Sequence, residues 1–336
     1  MRVQCTSEMY NRLRKAIETK ELQPADRVGL VMDSYALVKA GKMKPEDMMK
    51  LLASYSKEDD TIVWQGLTDA LGGLEVILSD DDVMYPSFLA FAQKLVLPLV
   101  DLVGWTPSAD DKHLTGLLRG NMVALLKTFC YKDEAVASEA DKRCKAFLAD
   151  PSDVQSVPTD IKTPVFKIYL KNGGEKEYNE IKAYYATAKD NAERKHVLNS
   201  LGATPDDKLK LATMEWTTSG AIKLQDFFYA MGSVGRSSKR GREISWQFFQ
   251  DNFDRLKTML GASSPSLMNA VVVMCAGGFC SIEKADEIDA FFKANPLPNN
   301  SRRIAQMTEN MRANGKFLAM LQASDLAKAE FWTTLL

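Results

Sequence analysis

The feature that most constrains the fold of this chain is a helix, turn and helix pattern that repeats from one end to the other. It is clearest in QDFFYAMGSVGRSSKRGREISWQFFQDNF, residues 225–253. An apolar helix is predicted through Phe227–Met231, and Gly232 and Gly235 are predicted to end it, because glycine adopts positive φ without strain. The second helix places four apolar side chains on one face, at steps of three and four: Trp246, Phe249, Phe253 and Leu256.

The rest of the chain shows the same helical spacing between short polar turns. It predicts about sixteen helices of roughly 10–20 residues and no convincing strand alternation. Pro24 and Pro45 are each expected to open a helix, and Pro98 to kink or restart one. Short helices in pairs about 40 residues apart are typical of helical solenoids. The predicted fold class is therefore all-α, a superhelical array of antiparallel helix pairs like HEAT or armadillo repeats.

A single helical-repeat domain is predicted for residues 1–336. The stretch DPSDVQSVPTDIKT, residues 150–163, is the only long connection rich in proline, serine and aspartate. Such composition is typical of a linker between domains. Apolar spacing resumes at Ile161, however, so we interpret the stretch as a soft elbow within one array.

Composition excludes several classes of partner. Hydrophobic residues make up 46% and charged residues 26% of the chain, and the net charge is −1, which favours neither nucleic acid nor a membrane surface. No apolar run reaches the roughly 20 residues that span a bilayer, and no apolar signal core begins the chain. The 5 cysteines include no C-x-x-C pair, which indicates reduced thiols rather than disulfides or a zinc knuckle. We therefore expect a cytoplasmic protein with no nucleic-acid or membrane partner.

The sequence contains no recognisable catalytic or cofactor motif. Its 2 histidines, His113 and His196, belong to no H-E-x-x-H motif, and a catalytic zinc normally needs three protein ligands. A G-x-S-x-G elbow is absent, and GSVGRSSKRG is not a G-x-x-x-x-G-K-[ST] phosphate loop. We therefore predict no catalytic residue, no metal and no cofactor in this chain.

One stretch has a physical case for binding. We call Gly232–Arg242 the basic elbow, because it brings four cations near a predicted helix N-terminus, where backbone N–H groups favour an anion such as a carboxylate. The alternative is a solvated basic turn that pairs with Glu243 or Asp251. The four cations are Arg236, Lys239, Arg240 and Arg242.

Several stretches resemble, in order, the C-terminal helical domain of M1-family zinc aminopeptidases, most closely the puromycin-sensitive branch. PADRVGLVMDSYALVKAGKM, residues 24–43, is similar to a DR-x-GL-x-x-D-x-x-x-L-x-x-AG signature. ERKHVLNSLGATPDDKLK matches an E-R-x-x-x-L-x-x-LG segment, and FFKANPLPNNSRRIAQMTENMRANGKFL matches the closing segment. The stretch at residues 225–253 carries the strongest match. The resemblance covers nearly the whole chain.

The resemblance implies a superhelical bowl that forms the wall of a peptide cavity, limits substrate length and gates access to the catalytic domain. The family's G-x-M-E-N and H-E-x-x-H motifs lie in upstream domains and do not occur in this sequence. The chain is therefore expected to be a fragment, a short isoform or a homologue without the catalytic half. No activity is expected from it alone, and zinc is expected only in an upstream catalytic domain.

The resemblance also implies partners and contact residues. Expected partners are the tail of a peptide substrate or an M1 catalytic domain. A stand-alone helical-repeat protein that binds peptides or serves as a scaffold is the alternative. The candidate peptide or interdomain contacts are Arg27, Arg236, Lys239, Arg242 and Arg302. The alternative for the arginines is that they are buried and tie helices together.

Overall fold

A computed structural model describes residues 3–260 and 264–335, and over this part the chain consists of helices joined by turns, with no β-strand. The predicted all-α fold class is therefore confirmed. By contacts, the chain divides into two compact units, Met1–Cys130 with Phe317–Leu336, and Tyr131–Lys316. The predicted elbow at residues 150–163 lies inside the second unit, not at the boundary, and helix resumes there at Thr159. A single domain over residues 1–336 and a superhelical array stay predictions.

The first unit is built on a core of large buried side chains, among them Trp64, Phe88 and Phe129. Trp332, near the C-terminal end, packs against Phe88 and Phe91 with ring centroids 6.4 and 6.2 Å apart. Its helices are α1 (Ser7–Glu18), α2 (Pro24–Lys39), α3 (Pro45–Ala53), α4 (Thr61–Leu78), α5 (Tyr85–Val96), α6 (Pro98–Val103), α7 (His113–Leu125), a π-helical segment (Leu126–Cys130) and α19 (Ala329–Thr333).

Prolines and aspartates start these helices as the sequence indicates. Pro24 and Pro45 occupy the first helical turns of α2 and α3, where a missing N–H leaves no bond unmade. Pro98 ends α5 and opens α6. Gly41 follows α2 with φ of +66°, a conformation that glycine adopts without strain. The positions at which these helices begin and end thus follow from local backbone chemistry.

The second unit has a contiguous aromatic and aliphatic core that includes Phe227, Trp246 and Phe249. Helix α18 (Ser301–Gln322) begins in this unit and ends in residues assigned to the first. The other helices are α8 (Glu134–Ala149), α9 (Thr159–Asn172), α10 (Glu175–Thr187), α11 (Asn191–Leu198), α12 (Asp207–Thr217), α13 (Phe227–Gly235), α14 (Lys239–Asp251), α15 (Phe253–Leu260), α16 (Pro265–Ala276) and α17 (Ile282–Ala294).

The prediction that Gly232 ends the first helix of residues 225–253 is wrong, because Gly232 lies inside α13. The helix does end at Gly235, as predicted, but neither glycine has a positive φ. A Cβ at Gly232 would lie 2.6 Å from Sδ of Met274, and one at Gly235 would collide with the carbonyl oxygen of Met274. The glycines are therefore needed for the close approach of α13 to α16, and not for a positive φ.

Replacing Gly235 with alanine is expected to lower the free energy of unfolding by about 1–3 kcal/mol, because a backbone carbonyl cannot move aside as a flexible side chain can. Gly72 is the matched control: it lies inside α4, and a Cβ there meets nothing within 4 Å. Gly72→Ala should leave stability unchanged or raise it by up to about 1 kcal/mol. Urea unfolding followed by circular dichroism measures both, and equal effects at the two positions would contradict the packing explanation.

By length and composition, Tyr85–Val103 is apolar enough to cross a membrane. This is weak evidence for a membrane span, since a core helix of a soluble protein can have the same length and composition. Phe88, Phe91 and Leu95 are buried within the first unit, and Pro98 interrupts the segment. The absence of a membrane partner stays a prediction.

Candidate functional site

The basic elbow is shorter in the structure than the sequence suggests. Only Arg236–Ser238 lies outside helix, and Oγ of Ser238 accepts a hydrogen bond from the backbone N–H of Gly241 at 3.0 Å, which caps α14. Lys239 and Arg240 therefore stand in the first turn of α14. Cations at a helix N-terminus oppose the helix dipole, so local backbone electrostatics do not explain their presence.

The four cations of the basic elbow do not converge on one point. Nε of Arg240 lies 2.7 Å from Oδ2 of Asp207, whereas Arg236 and Lys239 are exposed. Arg242 is only 7% exposed. The structure therefore separates the cations into exposed residues and one buried arginine.

This difference in burial predicts a large effect of one arginine substitution on stability and a small effect of the other. Arg242→Ala is expected to lower the free energy of unfolding by about 1–3 kcal/mol, because it removes packed methylene groups and a buried guanidinium. Arg236→Ala, its exposed counterpart a few residues earlier, should change stability by no more than about 0.5 kcal/mol. Thermal and urea unfolding of the two variants measure the contrast, and a destabilised Arg236→Ala would refute it.

The other two candidate contacts lie elsewhere. Arg27 is buried in the first unit, where Nε and Nη2 donate to the two carboxylate oxygens of Glu58 at 2.7 and 2.8 Å. The hydroxyl of Tyr55 donates to the carbonyl oxygen of Arg27 at 2.7 Å. These contacts fit an arginine that ties helices together. Arg302 is exposed at the start of α18.

A groove lies between α12 and α14 of the second unit, and we call it the α12–α14 groove. Its volume is about 1080 Å³, enough for several side chains of a polypeptide. Leu211, Ile244 and Phe248 form its apolar part, and Leu211 is 42% exposed. Leu211 is therefore the exposed apolar residue of the three, whereas Ile244 is half-buried and Phe248 is buried.

Charged side chains stand at both ends of the α12–α14 groove. Arg240 and Asp207 form their ion pair at one end. At the other end, Nε2 of Gln247 donates to Oδ1 of Asp251 at 2.8 Å, and neither Glu215 nor Asp251 has a cationic partner among the described residues. The groove thus combines an apolar middle with polar ends, as a polypeptide site does.

Sequence reasoning did not find this groove. Leu211 and Ile244 fit helical apolar stripes, which usually indicate core. Their exposure depends on the distance between two helices that are separated in the chain by α13. One signal was available: Leu211 follows Lys208 and precedes Glu215 at helical spacing, so it stands beside charged neighbours.

No metal or nucleophile site is assembled in the part of the chain that the structure describes: no group of three or more histidine, cysteine, aspartate or glutamate side chains could hold an ion there. His113 is exposed. Nδ1 of His196 lies 2.8 Å from Oγ1 of Thr163, and burial lowers the pKa of this imidazole. Cys144 and Cys275 are buried, and burial raises the pKa of both thiols, which disfavours the reactive thiolate.

Comparison with known proteins identifies the family. The family model of the ERAP1-like C-terminal domain matches residues 1–313. Aminopeptidase M1-A of Oryza sativa subsp. japonica is 26% identical over 330 residues, which are 96% of this chain and 36% of that protein. The alanine/arginine aminopeptidase of Saccharomyces cerevisiae is 25% identical over 94% of this chain and 36% of its own length.

A third relative, mitochondrial aminopeptidase 2 of Saccharomyces cerevisiae, is 23% identical over 93% of this chain and 32% of its own length. The chain therefore spans about a third of the length of these relatives, and the part that it matches is their C-terminal region. The resemblance drawn from the sequence motifs is confirmed, and the chain belongs to the ERAP1-like C-terminal domain family, the C-terminal domain of M1 aminopeptidases.

Proposed function

We propose that this chain acts as the non-catalytic C-terminal domain of an M1 zinc aminopeptidase, where it walls the peptide cavity and gates access to the catalytic domain. The match to the family model over residues 1–313 carries the proposal. Relatives named as aminopeptidases align with nearly all of this chain through only about a third of their own length. The zinc ligands and the hydrolytic groups would lie in the remaining part of an enzyme of that length.

The α12–α14 groove supports a role in holding a polypeptide. Its apolar middle suits aliphatic or aromatic side chains, and the charged groups at its ends suit polar side chains or main-chain groups. A wall that contacts a peptide away from the reacting bond contributes by binding and orientation, which raises the rate when the contacts position the scissile bond. The groove is therefore the first place to test for contact with a peptide.

The test combines this chain with the catalytic part of Aminopeptidase M1-A. Association is measured by analytical ultracentrifugation at micromolar concentration, and hydrolysis is measured on an amino-acid amide and on a longer peptide. We expect association and a change in peptide hydrolysis that exceeds the change in amide hydrolysis. Zinc-dependent turnover by this chain alone would overturn the non-catalytic assignment.

A stand-alone scaffold or peptide-binding protein is the second candidate function. The α12–α14 groove with its exposed Leu211 favours it, because grooves on a protein surface also serve as docking sites for other proteins. Absence of association with the catalytic part, together with peptide binding to the chain alone, would favour this reading. A cytoplasmic location remains part of the proposal, and fractionation of cells that express the native protein tests it.

The basic elbow gives a further test of the proposed function. If Arg236 and Lys239 contact a peptide or a facing domain, replacing both with glutamine should weaken that binding, because charge-assisted contacts are lost. Stability should stay within about 0.5 kcal/mol of the parent chain, since both side chains are exposed. Unchanged binding would support the solvated-turn reading.

A further inference from the structure

Four helices of the second unit, α10 to α13, place cations over aromatic rings in a half-buried region. We call it the cation–aromatic surface. It lies apart from the α12–α14 groove, which none of its residues lines. All of its members are half-buried, and they are Lys182, Tyr185, Arg194, Lys195, Trp216, Phe228 and Tyr229.

The first part of the surface joins α10, α11 and α12. Nζ of Lys182 lies 5.1 Å from the centroid of the Trp216 ring. The rings of Trp216 and Tyr185 meet edge to face with centroids 4.9 Å apart. Cζ of Arg194 lies 6.0 Å from the Tyr185 ring. Two adjoining rings are therefore flanked by a cation on each side, across three helices.

The second part of the surface continues to α13. Nζ of Lys195, the neighbour of Arg194 in α11, lies 5.2 Å from the centroid of the Tyr229 ring. The rings of Tyr229 and Phe228 have centroids 4.3 Å apart. Three cations and four aromatic side chains thus form two groups, and the groups adjoin in α11, where Arg194 and Lys195 are consecutive residues.

This surface carries more positive than negative charge. Asp226 is the carboxylate near it, with Oδ1 3.9 Å from Nζ of Lys195. Oδ2 of Asp226 is buried and has no hydrogen-bond partner among the described atoms. Neither Lys182 nor Arg194 lies within ion-pair distance of a carboxylate in the described residues. Of the three cations, only Lys195 therefore has a carboxylate partner in the described residues.

Other partly buried cations of the same unit are paired. Lys284 lies 3.3 Å from Glu243 and 2.8 Å from Glu287. Arg312 lies 2.6 Å from Asp286, and it contacts Asp289 as well. Burial lowers the pKa of Lys182 and no acidic group opposes that effect. Lys182 and Arg194 therefore lack the carboxylate partners that Lys284 and Arg312 have.

Cation–π contacts explain part of this arrangement but not all of it. Such a contact contributes about 0.5–1 kcal/mol at an exposed site, and an aromatic face accepts little of the hydrogen bonding that an ammonium or guanidinium group can donate. Nε of Arg194 donates to the carbonyl oxygen of Tyr185 at 3.4 Å, and its terminal nitrogens have no partner among the described residues. The terminal donors of Arg194 are thus left for a ligand, beside aromatic rings that are only half-buried.

We propose that the cation–aromatic surface binds an acidic polypeptide segment in which carboxylates alternate with aromatic or aliphatic side chains. Carboxylates would accept from Lys182, Arg194 and Lys195 in charge-assisted hydrogen bonds. Apolar side chains would pack on Trp216 and Tyr229 between them. A polypeptide supplies both groups at short spacing, whereas the net charge of −1 on the chain does not favour nucleic acid. The proposal stands whether or not the chain serves as an aminopeptidase domain.

A fluorescein-labelled twelve-residue peptide of alternating glutamate and phenylalanine or leucine, titrated with the full chain, tests the proposal by fluorescence anisotropy. The comparison probes are the same peptide with glutamine for glutamate, and a single-stranded oligonucleotide. We expect the acidic peptide to bind at least about tenfold more tightly than either comparison probe. Its binding should also weaken as salt increases.

The variant that tests the residues is Lys182→Gln/Arg194→Gln/Lys195→Gln. Its matched control removes the same charges at exposed positions of the same unit, Lys293→Gln/Arg303→Gln/Lys316→Gln. We expect about a tenfold loss of acidic-peptide affinity in the first set and less than about twofold in the control. Lys182→Gln alone, with Lys182→Arg as its conservative counterpart, keeps the test valid if the triple variant unfolds.

Three results would overturn the proposal. Equal losses in the two triple variants would mean that affinity follows net charge alone. Equal binding of the glutamine peptide would mean that carboxylates are not recognised. Tighter binding of the oligonucleotide would assign the surface to nucleic acid. The proposal is supported if only the triple variant at Lys182, Arg194 and Lys195 loses affinity for the acidic peptide, and if Lys182→Arg binds that peptide about as tightly as the parent chain does.

Discussion

Trp246→Ala is expected to lower the free energy of unfolding by about 3–5 kcal/mol. The Trp246 side chain is only 2% exposed. Its ring centroid lies 5.8 Å from that of Phe249 and 5.1 Å from that of Phe291, and its Nε1 donates to Oε1 of Glu287 at 2.7 Å. Truncation therefore removes a large apolar volume, leaves a cavity among rigid rings and deprives a carboxylate of a donor.

Urea unfolding monitored by far-ultraviolet circular dichroism measures this effect, with the slope of the transition checked for a change in cooperativity. Gln247→Ala is the matched control, because Gln247 is the next residue of α14 and is exposed; it should shift stability by at most about 0.5 kcal/mol. Trp246→Phe should fall between the two. A loss below about 1 kcal/mol for Trp246→Ala would show that the site collapses around the missing ring.

The sequence predicted this part of the core well, because helical spacing determines which side chains share a face. Trp246, Phe249, Phe253 and Leu256 were placed together by steps of three and four, and all four are buried. The structure divides the predicted helix, since α14 ends at Asp251 and α15 begins at Phe253. A short interruption shifts the phase of a helix only slightly, so the common face survives it.

The role of the glycines of α13 could not be predicted from the local sequence. Glycine is needed both where φ is positive and where two backbones approach closely. Only the position of Met274 in α16 shows that the second reason applies to α13. The same limit applies to the cations of the basic elbow. Spacing places Arg236 and Arg242 in one basic stretch, whereas their different burial depends on the packing of helices far apart in sequence.

Both binding surfaces depend on such packing. The α12–α14 groove exists because two helices separated by α13 stand beside each other, and the cation–aromatic surface joins residues from four helices. In the cation–aromatic surface each helix contributes only one or two residues, too few to form a motif. Half-exposed rings such as Trp216 also look like core in a helical stripe, because periodicity indicates the direction of a side chain and not the depth of its burial.

Lys162→Met is expected to lower the free energy of unfolding by about 3–5 kcal/mol, because it leaves a buried carboxylate without its counter-ion. Lys162 and Glu193 are 3% and 5% exposed. Nζ of Lys162 lies 2.8 and 2.7 Å from the two carboxylate oxygens and 4.4 Å from the centroid of the Phe147 ring. Methionine preserves most of the packing, so the loss reports mainly the missing charge.

A double variant separates charge from packing. In Lys162→Met/Glu193→Gln the amide oxygen can still accept from the hydroxyl of Tyr184, which donates to Glu193 at 2.8 Å in the parent chain. Because no uncompensated charge remains, the double variant should be more stable than Lys162→Met alone. If the double variant is the less stable of the two, the ammonium contributes through packing against Phe147 rather than through its charge.

The pH dependence of the stability of Lys162→Met gives the most direct test of the charge explanation. Burial raises the pKa of Glu193, but hydrogen bonds from Lys162 and Tyr184 and the ammonium charge outweigh it and hold the pKa below its ordinary value of 4.5. A depressed carboxyl pKa contributes stability that is complete above about 4.5 and is lost as the pH falls below it.

In Lys162→Met the pKa-lowering charge is gone and burial dominates, so the pKa of Glu193 rises and acid neutralises the stranded carboxylate within the folded state. The stability difference between the parent chain and Lys162→Met should therefore narrow as the pH falls from about 7 to about 3.5. Glu193→Gln carries no titrating group there and serves as the control. A difference that stays constant over this range would assign the effect of Lys162→Met to packing, since only an electrostatic penalty is relieved by protonation.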